Sequence, residues 1–177
     1  MEGIIDKAKF GAMFEVECWR LDKDTGKRFL AWREYNHNIV TNEGLNHILD
    51  VTLHGKTLIS PWYVVMSKTD EAAAAGMTYK TPVYDELTEY DEATRPEYVE
   101  AAASSQSITN SANKATFTIS GTVTCYAAGL VGGSSTKDDV TDDAAHVLLC
   151  YSKFGSSRAT VDDDVVNVTV TMTVADA

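Results

Sequence analysis

Acidic residues occur in two dense runs whose chemistry suits a hard cation. The first run is Asp138–Asp143 and the second is Asp162–Asp164. Ca²⁺ prefers several carboxylate oxygens, but the first run lacks the glycine and the bidentate glutamate of an EF-hand loop. The second run comes directly before a strand-like segment, where charges discourage edge-to-edge aggregation. We therefore expect two solvated loops, and we predict neither a metal site nor a bound cofactor.

Histidines and cysteines are the next candidates for metal binding or catalysis. His47 and His54 fall two turns apart on one predicted helix, too far apart for both to bind one ion, and HExxH is absent. We predict surface or helix-cap positions for the four histidines. Cys18, Cys125 and Cys150 form no CxxC pair, so we predict buried, reduced thiols.

Motifs for nucleophilic or phosphate chemistry are missing from the sequence. It contains neither a GxSxG elbow nor GxxxxGK[ST]. The glycine-rich segment Gly129–Ser135 lacks the lysine of a phosphate-binding loop, and we predict a flexible turn there. A glycan hydrolase needs two carboxylates roughly 5 to 9.5 Å apart across a cleft, and no acidic pair stands out. We predict a protein that is not an enzyme, with a glycan-acting enzyme as the remote alternative.

Charge and hydropathy restrict the class of partner. The 177 residues carry a net charge of −11, which repels nucleic acid and anionic membranes. No segment approaches the roughly 18 to 20 consecutive apolar residues of a membrane helix. Near the amino terminus, Ile4 and Ile5 are followed at once by charged residues, unlike the apolar core of a signal peptide. We expect a soluble chain that binds neither nucleic acid nor membrane.

Alternating apolar residues predict β-strands over most of the chain. The clearest alternation is Val166, Val168, Val170, Met172 and Val174. A second runs through 115–125, with a bend predicted at Ser120-Gly121. Segments 14–18 and 28–40 flank the turn residues 22–27 and predict a β-hairpin.

One segment has helical rather than strand periodicity. Apolar residues recur at spacings of three and four, so we predict that one face of a helix over about 42–54 is buried: Leu45, Ile48, Leu49 and Leu53. Thr41 is the predicted N-cap, and Gly55 is predicted to end the helix.

These elements predict a mostly β single domain, a β-sandwich or jelly-roll-like fold with one short α-helix. About seven or eight strands need a second layer to cover their apolar face. We assign residues 1–13 to an amino-terminal arm and residues 14–177 to the β-rich domain. The long connections 68–82 and 132–144 are predicted to contact a partner, because loops of that length in a compact domain are often functional.

Several short motifs resemble a family of small tailed-phage proteins. In order along the chain they are Asn38–Asn46, Trp62–Val64, Tyr90–Pro96, Ile108–Ala112 and Ala115–Phe117. The similarity extends over roughly residues 38–154, and the segment 1–14 has no counterpart in it. Proteins of this family are usually virion structural components without catalytic residues.

The resemblance implies a head decoration (cement) protein that binds the major capsid protein, assembled in the bacterial host cytoplasm and located in the virion. A tail, neck or fibre-associated protein is the alternative. Subunits of this kind are normally symmetric oligomers, so we expect a dimer or trimer. The arm and the two long connections supply the predicted partner contacts: Ile4, Ile5, Phe10, Met77, Tyr79, Leu130 and Val131.

Overall fold

The computed structural model describes residues 8–176, which fold into two antiparallel β-sheets and one α-helix. The elements, in chain order, are β1 (Ala8–Leu21), β2 (Arg28–His37), β3 (Ile39–Val40), α1 (Asn42–Leu53), β4 (Trp62–Ser67), β5 (Ser107–Thr109), β6 (Ala115–Thr118), β7 (Val123–Gly132), β8 (Val147–Thr160) and β9 (Val165–Asp176). The predicted fold class, mostly β and sandwich-like with one short helix, is confirmed.

The five-stranded sheet is built around β9. Strand β1 pairs with β9 from Ala8↔Asp176 to Trp19↔Val165, and β2 adds to the outer edge of β1. Strands β5 and β6 occupy the other edge of β9. The predicted alternation in β9 is confirmed for Val166, Val168 and Val170, which are fully buried, whereas Val174 is 37% exposed.

The four-stranded sheet has the order β3-β8-β7-β4 and is buried on both faces. One face packs on the five-stranded sheet in a core that includes Phe14, Phe117 and Leu130. The other face contributes to a second cluster, where Val131 packs with side chains from the long connection after β4. Burial on both faces explains why β7 is almost continuously apolar.

The amino-terminal arm is shorter than predicted. Residues 8–13 belong to β1, where they pair with residues 171–176. The amide nitrogen of Ala12 donates to Asn38 Oδ1 at 2.7 Å, and the amide nitrogen of Asn38 donates to the Ala12 carbonyl at 3.1 Å. The boundary placed after residue 13 was wrong because these partners lie far away in sequence. The rest of the predicted arm lies outside the described residues.

Two further segments differ from their predictions. Residues 115–125 contain two strands in different sheets, because the chain leaves β6 at Ile119 and enters β7 at Val123. The predicted flexible turn at 129–135 is largely strand, since β7 continues to Gly132. A Cβ at Gly132 would lie 2.6 Å from Ile59 Cγ2, so this glycine permits close packing rather than flexibility.

Candidate interaction surface

Helix α1 begins at a well-defined cap. Thr41 Oγ1 accepts a hydrogen bond from the amide nitrogen of Gly44 at 2.9 Å and donates to the Leu148 carbonyl at 2.5 Å. Glu43 Oε2 accepts from the amide nitrogens of Leu148 at 2.7 Å and Tyr79 at 2.9 Å. Gly55, with a φ of +73°, follows the C-cap residue at the other end. The predicted helix, its N-cap and its terminating glycine are confirmed.

The buried face of α1 is only partly the predicted one, since Ile48 packs partly buried against the core and Leu45 is half-buried. Its buried residues are Gly44 and His47, whereas Leu49 and Leu53 point to solvent. A Cβ at Gly44 would lie 2.4 Å from the Leu149 carbonyl oxygen, so only glycine lets the helix approach β8 this closely. This contact fixes the rotation of the helix about its axis and turns the leucines outward.

The outward leucines form an exposed apolar surface. Leu49 and Leu53 lie one turn apart and are 55% and 80% exposed. Leu58, in the segment that leaves the helix, is 65% exposed. We call Leu49, Leu53 and Leu58 the leucine surface. Large apolar side chains exposed together mark sites of protein association more often than single ones do.

A shallow groove of about 390 Å³ adjoins this surface through Leu58. Its lining residues come from the segment after α1 and from the connection before β8: Lys56, Thr57, Leu58, Ile59, Ser60, Gly133, Ala144 and Ala145. No carboxylate is among them. The groove therefore offers backbone groups, apolar contacts, two hydroxyl side chains and one cation.

His47 was predicted at the surface or in a cap, but it is buried beneath α1. Its ring meets the Trp62 ring edge-on, with 5.7 Å between centroids. Neither ring nitrogen has a hydrogen-bond partner within residues 8–176. The helix rotation imposed by Gly44 explains the error, because it places His47 inward, where a leucine was expected. His54, by contrast, is exposed and forms the C-cap, as predicted.

The long connections are held together around a buried ion pair between Arg95 and Glu86. We call this pair and the neighbours to which Arg95 bonds the Arg95 cluster: Tyr79, Glu86, Arg95, Ser134 and Asp139. Arg95 Nε donates to Glu86 Oε1 at 2.9 Å, and Nη1 donates to Tyr79 Oη at 2.7 Å and to the Ser134 carbonyl at 3.1 Å. Burial opposes the charge of Arg95, but the bonds to Glu86 outweigh it and raise the pKa of the guanidinium. Nothing local in the sequence indicated this pairing.

His146 lies close to two carboxylates, that of Asp139 within the Arg95 cluster and that of Asp143 outside it. His146 Nδ1 is 2.6 Å from Asp143 Oδ1, and its Nε2 is 3.7 Å from Asp139 Oδ2. Burial opposes ionisation of Asp139, but hydrogen bonds from Ser134 and Thr141 lower its pKa to about 2. The neighbouring cavity, which Glu86 and Arg95 help to line, holds about 10 Å³, room for about one water molecule. This arrangement ties the connection 133–146 in place and leaves little room for a substrate.

The structure does not bring the predicted partner contacts together at the surface. Met77 and Tyr79 are buried against the four-stranded sheet, and Leu130 and Val131 lie within β7, paired on both sides. Their side chains are unavailable to a partner, because the connections fold back over the sheet instead of projecting from it. Phe10 is half-buried in β1, opposite Val174. Ile4 and Ile5 lie outside the described residues.

Other expectations about reactive groups can be compared with residues 8–176. Cys18, Cys125 and Cys150 are buried and unpaired with one another, as predicted. Burial raises the pKa of the Cys125 and Cys150 thiols to about 12. Within that range no group of three or more His, Cys, Asp or Glu side chains is placed to hold a metal ion, and no helix is long and apolar enough to cross a membrane.

The motifs that resemble tailed-phage proteins include residues with structural roles. Asn38 bonds to β1, Thr41 caps α1, Gly44 contacts β8, and Arg95 joins the long connections. These residues connect segments that are distant in the sequence or fix the start of the helix. The chain matches no protein-family model and no curated protein.

Proposed function

We propose that this chain is a non-enzymatic structural subunit of a tailed-phage particle, specifically a head decoration protein that binds the major capsid lattice. The observation that carries the assembly role is the leucine surface, with Leu53 80% exposed on a helix end. Burying apolar surface contributes about 25 cal/mol per Å², so covering these side chains favours association. The resemblance to phage proteins supplies the particle as the place of assembly.

The arrangement of polar residues agrees with this role. Arg95, Glu86, Glu43 and Asn38 all bond to parts of their own chain. A decoration subunit needs a rigid β domain and a docking surface, and many copies on a lattice multiply weak contacts. The leucine surface replaces the buried side chains at 77–79 and 130–131 as our candidate for the capsid contact.

Immunogold labelling of intact virions by electron microscopy tests the location directly. Gold distributed over the head, with hundreds of copies per particle, is the expected result. Gold confined to the tail or neck, with six to a few dozen copies, would overturn the decoration assignment in favour of a tail, neck or fibre component. Absence of gold from particles, or glycan hydrolysis by the purified chain, would overturn the structural role itself.

Rebinding of purified chain to particles that lack it tests the surface. The variant Leu53→Ser should lose binding, whereas Val99→Ser should retain it, because Val99 is 43% exposed outside the leucine surface. Equal binding by both variants would exclude the leucine surface as the contact. Light scattering of the free chain measures whether it is the expected dimer or trimer.

A further inference from the structure

Helix α1 is attached to the sandwich by few buried groups. Only Gly44 and His47 are buried along its 12 residues. Gly44 has no side chain, so His47 supplies the one fully buried side chain of the helix. It is 3% exposed and packs against Trp62 of β4. Ile48 adds partly buried apolar packing against the core, and His47 is the buried titratable side chain of the helix.

The site of His47 suits a neutral ring and opposes a charged one. Neither Nδ1 nor Nε2 has a partner among the described residues, so a protonated ring would bury unpaired donors and a positive charge. Burial lowers the pKa of His47, and the charge of Lys56 lowers it further.

The surrounding charges do not compensate for this burial. The acidic groups that act on the ring are Asp50 and Glu43, both on α1, and they oppose the lowering only in part. Glu43 already accepts bonds from two backbone amides. The strands beneath the helix contribute no charged group that acts on the ring: β4 presents the Trp62 ring, and β8 presents backbone to Gly44.

We propose that His47 is a pH-sensitive latch: its neutral ring holds α1 on the sandwich, and its protonation releases the helix. Once α1 moves away from β4 and β8, the ring reaches water and binds a proton there. Release also uncovers Trp62 and carries Leu49 and Leu53 away from the groove. Mild acidification would thus increase the fraction of chains that offer this altered surface to a partner.

The size of the effect follows from linkage. A histidine in water has a pKa of about 6.5, so a helix that must be neutral to dock opens about tenfold more often at pH 5.5 than at pH 7.5. The frequency of helix opening stops rising once the pH falls below the pKa of the docked His47 ring.

Hydrogen exchange of the full chain, measured by mass spectrometry at pH 7.5 and 5.5, tests the latch. The measured quantity is the protection factor of residues 42–53, corrected for intrinsic exchange. In the wild-type chain, this protection factor should be about tenfold lower at pH 5.5 than at pH 7.5. The variants His47→Gln and His47→Phe stay neutral and should show no such loss. His54→Gln, which removes the exposed histidine at the end of the same helix, should behave like wild type.

Two results would overturn the latch. One is a wild-type helix whose protection does not change with pH, and the other is a loss that persists in the His47 variants. If neither variant folds, NMR titration of the His47 ring in the wild-type chain decides. A pKa below 6.5, with helix signals broadening in step, supports the latch, and a pKa at or above 6.5 excludes it.

Discussion

The Arg95 cluster and helix α1 bury polar groups in opposite ways. Arg95 is charged and has a partner for each of its three nitrogens, including both oxygens of Glu86. In the described part of the chain, His47 has no hydrogen-bond partner on either ring nitrogen. A fully paired buried charge commits a region to one arrangement, because separating the pair is costly. A neutral imidazole can remain buried without partners more easily than a charged one, so the docking of α1 is the part of this fold that mild acid should weaken.

Breaking the Arg95 cluster should have the largest effect on stability. Arg95→Met leaves Glu86, which is 4% exposed, as a buried carboxylate without its cation and with the Asp138 amide as its remaining donor, at a cost of about 3–5 kcal/mol. Urea denaturation at pH 7 measures the loss. Lys80→Met removes the solvent-exposed ion pair with Asp142 and should leave the midpoint unchanged. The double variant Glu86→Leu/Arg95→Met should recover much of the loss, and a double variant as unstable as the single one would contradict the explanation.

Gly44→Ala should have the next largest effect on stability. It should destabilise the protein, although helix propensity alone predicts stabilisation. Alanine stabilises an exposed helix by about 1 kcal/mol relative to glycine. Here the new Cβ would meet the Leu149 carbonyl at 2.4 Å, and overpacking of this kind costs about 1–3 kcal/mol. Thermal unfolding should therefore show destabilisation. Gly76→Ala, where nothing lies within 4 Å, is the matched control, and equal stability of the two variants would show that α1 tolerates a shift.

Local features of the fold could be predicted from the sequence, and distant pairings could not. Thr41, Gly55 and the alternation in β9 act through neighbours within a few residues, so the helix ends and the final strand were predicted correctly. The rotation of α1 depends on Gly44 meeting Leu149, more than a hundred residues away. Periodicity finds an apolar stripe, but it cannot show that a glycine excludes that stripe from the core.

The candidate site shows the same limit. Met77, Tyr79, Leu130 and Val131 were predicted as contacts because they lie in or next to the long connections 68–82 and 132–144. These connections fold over the four-stranded sheet because Arg95 joins them, and its partner Glu86 belongs to a different part of the loop. The leucines of α1 were recognised as apolar but assigned to the core. The leucine surface became evident only once the structure showed which face of α1 packs against β8.

Acid should destabilise the Arg95 cluster and the docking of helix α1 in separate pH ranges. Asp139, beside Arg95, has its pKa lowered to about 2, below the value of about 3.9 expected when unfolded. The stability that the Asp139 carboxylate contributes is complete above a pH of about 3.9, and it is lost as the pH falls toward about 2. His47 is a base with a lowered pKa, so its contribution is lost as the pH falls below about 6.5.

Hydrogen exchange at pH 5 and pH 3 should separate these ranges. At pH 5, residues 42–53 should have lost protection while residues 134–146 keep theirs, and at pH 3 the second segment should begin to lose protection. Asp139→Asn should remove the part of that later loss that comes from this carboxyl group. Simultaneous loss in both segments near pH 5 would mean that the two regions open as one unit.

Truncating the leucine surface should have the smallest effect on the stability of the free chain. Leu53→Ala removes a side chain already in water, so the free energy of unfolding should change by no more than about 0.5 kcal/mol. Leu130→Ala, at a leucine 1% exposed, should cost about 2–5 kcal/mol. Urea denaturation of the two variants compares them directly. A large loss at Leu53 would show that its side chain is already covered in solution, which would identify a second copy of the chain as the first partner of this surface.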